Sequence, residues 1–516
     1  MGTGFVMFAQ VSTVTFEGID AKQVDVQVLI APGLPAFSIV GLPDKSVGES
    51  RERVRAALTA IGLGLPAKRI TVNLAPADMP KEGTHYDLPI ALGVMAATGA
   101  IAPETLKDFM IIGELGLDGS LGSIVGVLPA ALGASALGKG LICPAACGPE
   151  AAWASGEMEI VAPPHLLTLV NHLKGSTTIH RPQPHLEQSA GSALDLKDVR
   201  GQESAKRALE IAAAGGHHML MIGPPGAGKS MLAQRLPSIL PPLEPREMLE
   251  VAMIQSIAGN IVNGGLTAER PFRAPHHSAS MAALVGGGAR PKPGEVALAH
   301  HGVLFLDEFP EFPPHVLDAL RQPIESGETV IARVNHRIRY PSRFQLIAAM
   351  NPCRCGHAWT PGVTCRLGAR CEESYKARIS GPLWDRLDIQ IAVAPVKATD
   401  LALPPARESS ADVAQRVRAA RALQSRRYAM TGIEAVTTNA RCPAPLLEEF
   451  CPLDAQGLRL LEQAAEASGL SARGYHRTLR LARTIADLDG SANIHVLHVA
   501  EALSLRGEGE SARRAA

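Results

Sequence analysis

Aromatic residues make up only 4% of the 516-residue chain, and its formal charges cancel, with 50 Lys and Arg against 50 Asp and Glu. A net charge of zero excludes a uniformly basic nucleic-acid coat and a polybasic membrane binder. Long hydrophobic runs are scarce as well. The uncharged stretch Leu88–Ala102 contains Pro89 and is too short to span a bilayer, and the stretch Gly119–Gly138 is broken by glycine, serine and Pro129. The opening residues, MGTGFVMFAQ, lack the charged-then-apolar layout of a secretory signal. The eight cysteines are not spaced as a disulfide framework, since four cluster and four scatter. A soluble, cytoplasmic protein is expected.

What remains is globular composition, 46% hydrophobic and 19% charged, in a length that suits about three domains. The sequence reads as a multidomain α/β protein. Residues 1–174 mix strand-like segments (Val24–Ile30, Ala36–Val40, Arg69–Ala75) with helix-like ones (Ser46–Ile61, Leu88–Thr98), the pattern of an α+β domain. Residues 175–193 are a polar linker by composition. Residues 194–395 alternate strand, phosphate-loop and helix signals. Residues 396–516 are helical, with segments Ala411–Arg427, Ala455–Ala467, Tyr475–Asp487 and His495–Leu505.

The strongest motif is GPPGAGKS: Gly223, Pro224, Pro225, Gly226, Ala227, Gly228, Lys229 and Ser230. It follows the apolar segment His218–Ile222 and opens a helix, the context a phosphate-binding loop requires. Gly226 and Gly228 let backbone N–H groups curl around phosphates, Lys229 reaches the β- and γ-phosphates, and the Ser230 hydroxyl ligates Mg²⁺. Downstream, VLFLDE (Val303–Glu308) reads as a buried strand ending in an acidic pair. Asp307 would hold the Mg²⁺ and Glu308 would orient the attacking water. A third strand, Phe344–Asn351, ends in a polar residue at the same edge. Arg386, and Arg473 or Arg477, are candidate phosphate sensors.

Charge is absent on one side in one place. Between Glu328 and Glu372 lie 43 residues with no Asp or Glu and seven Arg: 333, 337, 339, 343, 354, 366 and 370. Thr329–Pro341 reads as a hairpin carrying Arg333, Arg337 and Arg339, suited to a phosphate backbone, or else as a solvated basic edge. Tyr340 is the one aromatic beside it, which favours backbone tracking over base reading. Cys353, Cys355, Cys365 and Cys371, with His357 in reserve, have the makings of a structural zinc site, although neither spacing is the common C-x₂-C and free thiols are the alternative.

The succession GPPGAGKS, VLFLDE, AAMNPC and LWDRLDI resembles an AAA+ ATPase core. The segment Pro271–Phe312 resembles the magnesium-chelatase-like branch, and within it the bacterial YifB/ComM family associated with natural transformation. The resemblance covers nearly the whole chain. It implies ATP and Mg²⁺ as cofactors, Asn351 as sensor 1, Arg386 as an arginine finger acting on a neighbouring subunit, and Arg473 as the preferred sensor 2. It also implies a ring, expected to be a hexamer, with the basic hairpin in its pore, single-stranded or branched DNA as partner, and recombination proteins as further partners. The helical C-terminal region would be the lid. Residues 5–174 resemble the proteolytic domain of Lon-type proteases. There His85 stands at the place of the nucleophilic serine, and Gly119–Leu132, which covers the place of the partner lysine, contains none. A Ser–Lys dyad needs both groups, so no protease activity is expected. A DNA motor for branch migration is the leading expectation, and a chelatase- or chaperone-like remodeller of a protein partner the alternative.

Overall fold

In the computed structural model the alternation VDVQV is buried with its period of two. Val24, Val26, Val28 and Ile30 are fully buried, while Asp25 and Gln27 stay half-buried on the opposite face. The structure describes residues 7–187, 194–288, 291–332, 337–357, 359, 365, 368–395, 408–433, 436–468 and 470–506. Two units interleave along the chain. One holds the N-terminal region up to Gln188 together with Pro245–Ala268 and Val330–Tyr340, and the other holds the remainder.

The first unit is built on a seven-stranded sheet. Its strands are β1 (Met7–Glu17), β2 (Asp20–Ala31), β3 (Ala36–Val40), β4 (Arg69–Ala75), β5 (Phe109–Ile111), β6 (Gly140–Ile142) and β7 (Ile160–Val161), in the order β3-β4-β2-β1-β5-β6-β7. β1 and β2 form an antiparallel hairpin, whereas β5, β6 and β7 run parallel. The helix Lys45–Ala60 starts at Asp44, whose carboxylate accepts from the Val47 amide at 2.8 Å. The helix Asp87–Ala97 is buried over its whole length. It is anchored where Arg53 meets fully buried Asp87 with two hydrogen bonds, of 2.6 and 3.0 Å. Burial raises the Asp87 pKa, and Arg53 offsets only part of that rise.

His85 is buried, and its Nε2 lies 2.9 Å from the Val14 carbonyl. Burial lowers its pKa to about 4, so it is neutral near pH 7. A Lys–Ser contact occurs elsewhere in this unit, where Lys139 Nζ donates to Ser12 Oγ at 2.8 Å. Ser12 lies within strand β1 between two paired neighbours, and the contact ties the sheet to the segment after the helix Val127–Ala136. The helix Pro245–Ala258 packs in the same unit: Gly126 N–H donates to Ser256 O at 3.1 Å, and the Ser256 hydroxyl donates to buried Glu150 at 2.5 Å. The basic hairpin is present as strands Glu328–Ala332 and Arg337–Pro341. At the β1–β2 turn, Gly18 has φ +68° and would place a Cβ 2.6 Å from the Arg339 carbonyl oxygen, so only glycine fits.

The second unit carries five parallel strands: β8 (Met219–Ile222), β9 (Phe272–Arg273), β10 (Val303–Leu306), β11 (Gln345–Met350) and β12 (Ile389–Ala392), in the order β9-β10-β11-β8-β12. Every residue of β8, β10 and β11 is buried, as continuous apolar runs in a covered parallel sheet require. Helices Ser410–Ala429, Ala444–Phe450, Ala455–Ser468, Ala472–Leu488 and Val496–Ser504 complete the unit. Among the described residues no helix is long and apolar enough to cross a membrane.

Asp487 is the polar centre of this helical region. It accepts from Arg427 at 2.5 and 2.9 Å, from Arg483 at 3.1 Å and from Asn439 at 2.8 Å, and both it and Arg483 are almost wholly buried. Asp487→Ala leaves Arg483 buried without its counter-ion, so a loss of about 3–5 kcal/mol is expected. Denaturant unfolding followed by circular dichroism measures this, and an unchanged midpoint would show that the network carries no such weight.

Candidate active site

The parallel sheet brings the carboxyl ends of β8, β10 and β11 to one edge, where an open α/β sheet binds its ligand. β8 runs into the phosphate loop, β10 into Asp307 and Glu308, and β11 into Asn351. Gly223 can leave the sheet only because it lacks a Cβ, which would lie 2.3 Å from the Val393 carbonyl oxygen. Gly226 and Gly228 then take positive φ values of 78° and 87° before the helix Lys229–Ile239 begins. The result is a cavity of about 450 Å³ lined by Gly226, Lys229, Ser230, Asp307, Glu308 and Asn351, with other loop residues.

Within it the side chains are already engaged with one another. Ser230 Oγ donates to Asp307 Oδ2 at 2.5 Å, and the Glu308 amide donates to Asp307 Oδ1 at 2.9 Å. Lys229 Nζ donates to the carbonyls of Gly223 and Pro224 at 2.7 and 3.0 Å, and to Asn351 Oδ1 at 3.2 Å. Burial lowers its pKa, and Asp307 partly restores it. A buried cation whose hydrogen bonds all go to neutral oxygens of its own cradle has room for a stronger anionic partner. A hydroxyl against a carboxylate is likewise a ligand pair for a hard cation. The residues therefore fit a magnesium nucleotide: Lys229 and the loop amides for phosphate, Ser230 and Asp307 for Mg²⁺.

Glu308 has φ +49°, the left-handed region, which non-glycine residues occupy at a cost of order 1–3 kcal/mol and which clusters at functional sites. Its carboxylate meets His277 Nδ1 at 3.0 Å. His277 lies just beyond β9, the neighbour of β10, so strand order places it beside Glu308. Sequence reasoning missed it as a site residue. The adjacent pair His276–His277, shortly after the two-residue strand Phe272–Arg273, was the available signal.

The predicted arginines stand apart from this cavity. Arg386 is buried, pairs with Glu325 and donates to the Pro382 carbonyl, and its Nε is buried without a hydrogen bond. Arg473 is exposed at the start of its helix, and Arg477 lies 3.4 Å from Asp388. None of the three lines the cavity. Burial alone would raise the Asp388 pKa, but His217 at 3.5 Å and Arg477 outweigh it and hold the carboxylate well below its usual range. Of the basic hairpin, Arg337 and Arg339 are exposed, and Arg333 lies outside the described residues. The four cysteines Cys353, Cys355, Cys365 and Cys371 converge, with their sulfurs within 4.8 Å of one another, whereas exposed His357 is not part of that group.

The chain matches three family models: "Magnesium chelatase, subunit ChlI" over residues 195–401, "Subunit ChlI of Mg-chelatase" over 26–147, and "Magnesium chelatase, subunit ChlI C-terminal" over 407–506. It is 45% identical to the competence protein ComM of Haemophilus influenzae over 95% of both chains. It is 44% identical to the uncharacterized protein YifB of Escherichia coli, again over 95% of both. A magnesium-chelatase 38 kDa subunit of Rhodobacter capsulatus is 31% identical over 34% of this chain and 56% of its own.

Two substitutions test the assigned chemistry. Glu308→Gln is expected to lower ATP turnover by about 10²–10⁴-fold while nucleotide still binds. His277→Ala, which frees the carboxylate without removing it, should lower kcat by roughly ten- to a hundredfold and leave KM for ATP near its original value. Steady-state ATPase assays read both, and wild-type turnover no higher than that of Glu308→Gln would contradict hydrolysis at this site.

Proposed function

The chain belongs to the YifB/ComM family of magnesium-chelatase-like AAA+ proteins, and from that premise we propose that it is an ATP-hydrolysing ring motor acting on DNA. The observation that carries the reading is the meeting of Lys229, Ser230, Asp307, Glu308 and Asn351 at one sheet edge. Phosphoryl transfer asks the protein mainly for positioning and charge stabilisation, and each of these groups supplies one part. Lys229 binds the β- and γ-phosphates and Ser230 with Asp307 holds Mg²⁺, which neutralises charge on the phosphates. Glu308, oriented by His277, positions the attacking water, and Asn351 senses the γ-phosphate.

Among the described residues lining the cavity, Lys229 is the one cation, and the reaction calls for a second that reaches the γ-phosphate from outside. Arg386 supplies it from a neighbouring subunit in a ring, a hexamer in this reading, after release from Glu325. Arg473 or Arg477 reports nucleotide state to the helical C-terminal region, which acts as the lid. The N-terminal region, with His85 at the place of a Lon-type nucleophile, serves as scaffold or DNA collar.

DNA is the substrate favoured by the acid-free stretch with its seven Arg and by the likeness to a competence protein. Exposed Arg337 and Arg339, with Arg333, would track a phosphate backbone through the ring. The activity proposed is helicase-driven branch migration during recombination of incoming DNA, in the cytoplasm and alongside recombination proteins. The likeness to magnesium-chelatase subunits favours a second reading, a remodeller of a protein partner.

ATPase activity stimulated by single-stranded or branched DNA, falling steeply with salt, is expected. Replacing Arg333, Arg337 and Arg339 with Ala should weaken DNA binding and reduce the salt slope by about one for each phosphate no longer neutralised, with folding unaffected. Stimulation by a protein partner alone, with none by DNA, would establish the second reading instead.

A further inference from the structure

The second metal-ligating set lies next to the nucleotide site, and nothing in the ATPase chemistry uses it. Cys353 and Cys371 are buried, Cys365 is half-buried and Cys355 is exposed, yet their sulfurs share one centre. Cys353 Sγ lies 3.2 Å from Cys355 Sγ, which lies 3.4 Å from Cys365 Sγ. Zinc bonds thiolates at about 2.3 Å in a tetrahedron, which sets neighbouring sulfurs about 3.8 Å apart. Two disulfides would draw the sulfurs into separate pairs and give no reason for four to share a centre. All four are free.

The backbone is shaped for the same purpose. Gly356, at φ +77°, closes a turn by donating its N–H to the Cys353 carbonyl at 3.0 Å. Gly368, at φ +53°, does the same to the Cys365 carbonyl at 3.0 Å. Each sulfur-bearing segment thus has a glycine-closed turn, and Cys371 enters from the helix Ala369–Lys376. The first turn rests on the phosphate loop, since a Cβ on Gly356 would lie 3.1 Å from Pro225 Cγ. Asn351, bonded to Lys229, is two residues before Cys353. On the other side, Arg378 donates to Glu311 at 2.9 Å and Ser380 to Asp318 at 2.7 Å, which fixes the chain just before Arg386.

We propose that Cys353, Cys355, Cys365 and Cys371 bind one zinc ion, and that this metal clamps the Asn351 strand end and the phosphate loop to the segment leading to Arg386. The clamp adds no chemistry. It holds groups from two parts of the chain at the spacing nucleotide binding requires. Its consequence for ATP rests on the nucleotide-site reading, whereas zinc content does not.

Untagged full-length protein, purified under reducing conditions without chelator, should carry about one zinc per chain by plasma mass spectrometry. Chelator-stripped protein given cobalt(II) chloride should develop the intense visible bands of tetrahedral thiolate coordination. No zinc as purified and none taken up from added zinc chloride, or a cobalt spectrum without those bands, overturns the site. The half-buried position suits Cys365→Ser as the variant, expected to lose the metal and keep its circular dichroism. Should that variant misfold, the stripped wild type supplies the same test. Both forms should bind a fluorescent ATP analogue roughly tenfold more weakly, with zinc chloride restoring the stripped wild type. Unchanged affinity after verified metal loss refutes the clamp while leaving the zinc site standing.

Discussion

The phosphate-loop strand is hemmed in on both sides, and the nucleotide site follows from that confinement. Met219–Ile222 pairs residue for residue with Ile347–Met350 on one side and with Ile389–Ala392 on the other. Its main chain is saturated, so the next residue cannot continue the sheet without meeting Val393. Gly223 instead donates its N–H to the Met350 carbonyl at 3.1 Å and turns out. That single bond sets the loop against the end of the Asn351 strand, and Lys229 then has Asn351 within reach. Strand order does the rest, since β10 sits next to β11 and β9 next to β10, which aligns Asp307, Glu308 and His277 along the same edge.

The other end of the same strand is held by polar groups, and these connect it to the helical region. His218 donates its N–H to Asp388 at 3.1 Å, and His217 lies against both Asp388 and Thr484. Gln345, at the start of β11, donates to the carbonyls of Ala212 and His217 at 2.9 and 2.8 Å. Asp388 therefore touches the phosphate-loop strand at its entry and, through Arg477, the helix Ala472–Leu488. It also stands two residues from Arg386. A low local dielectric makes such a carboxylate expensive to leave unpaired, so movement of the helical region cannot be independent of the sheet. Arg477 is better placed for that structural tie than exposed Arg473, which leaves Arg473 the freer of the two to meet a ligand.

Much of this could be read before the structure, because several motifs carry their own geometry. A strand, a glycine loop with GKS and a helix form one unit, and VLFLDE needs only a buried run with an acidic end. Short-range periodicity also predicted Ala36–Val40 and Arg69–Ala75 to the residue. It missed Met7–Glu17, a central strand flanked by β2 and β5. Over Val11–Thr15 burial is imposed from both faces, so Ser12, Thr13 and Thr15 are buried and the alternation of Phe8–Val11 does not continue. It missed His277 for a related reason: what matters about that residue is which strand lies next to which. The grouping of 245–268 and 330–340 with the N-terminal region is again a long-range fact, carried by contacts such as Ser256 with Glu150 and Gly18 with Arg339, which no local pattern announces.

The seven arginines of the acid-free stretch look like one feature, but their positions divide them. Arg337 and Arg339 are on the hairpin strand Arg337–Pro341, while Arg333 precedes that strand in the sequence and Arg343 follows it. Arg354, Arg366 and Arg370 each stand next to a cysteine of the cluster in the sequence. A zinc ion held by four thiolates carries a net charge of about −2, which a neutral chain must balance nearby. Carboxylates between the cysteines would add to that charge, and there are none until Glu372, which directly follows Cys371. Their absence is thus what a thiolate metal centre and a phosphate-tracking hairpin would both require of the same stretch. On the proposed reading the surplus would serve two needs, three guanidiniums facing a phosphate backbone and three offsetting a metal centre, with Arg343 belonging to neither group.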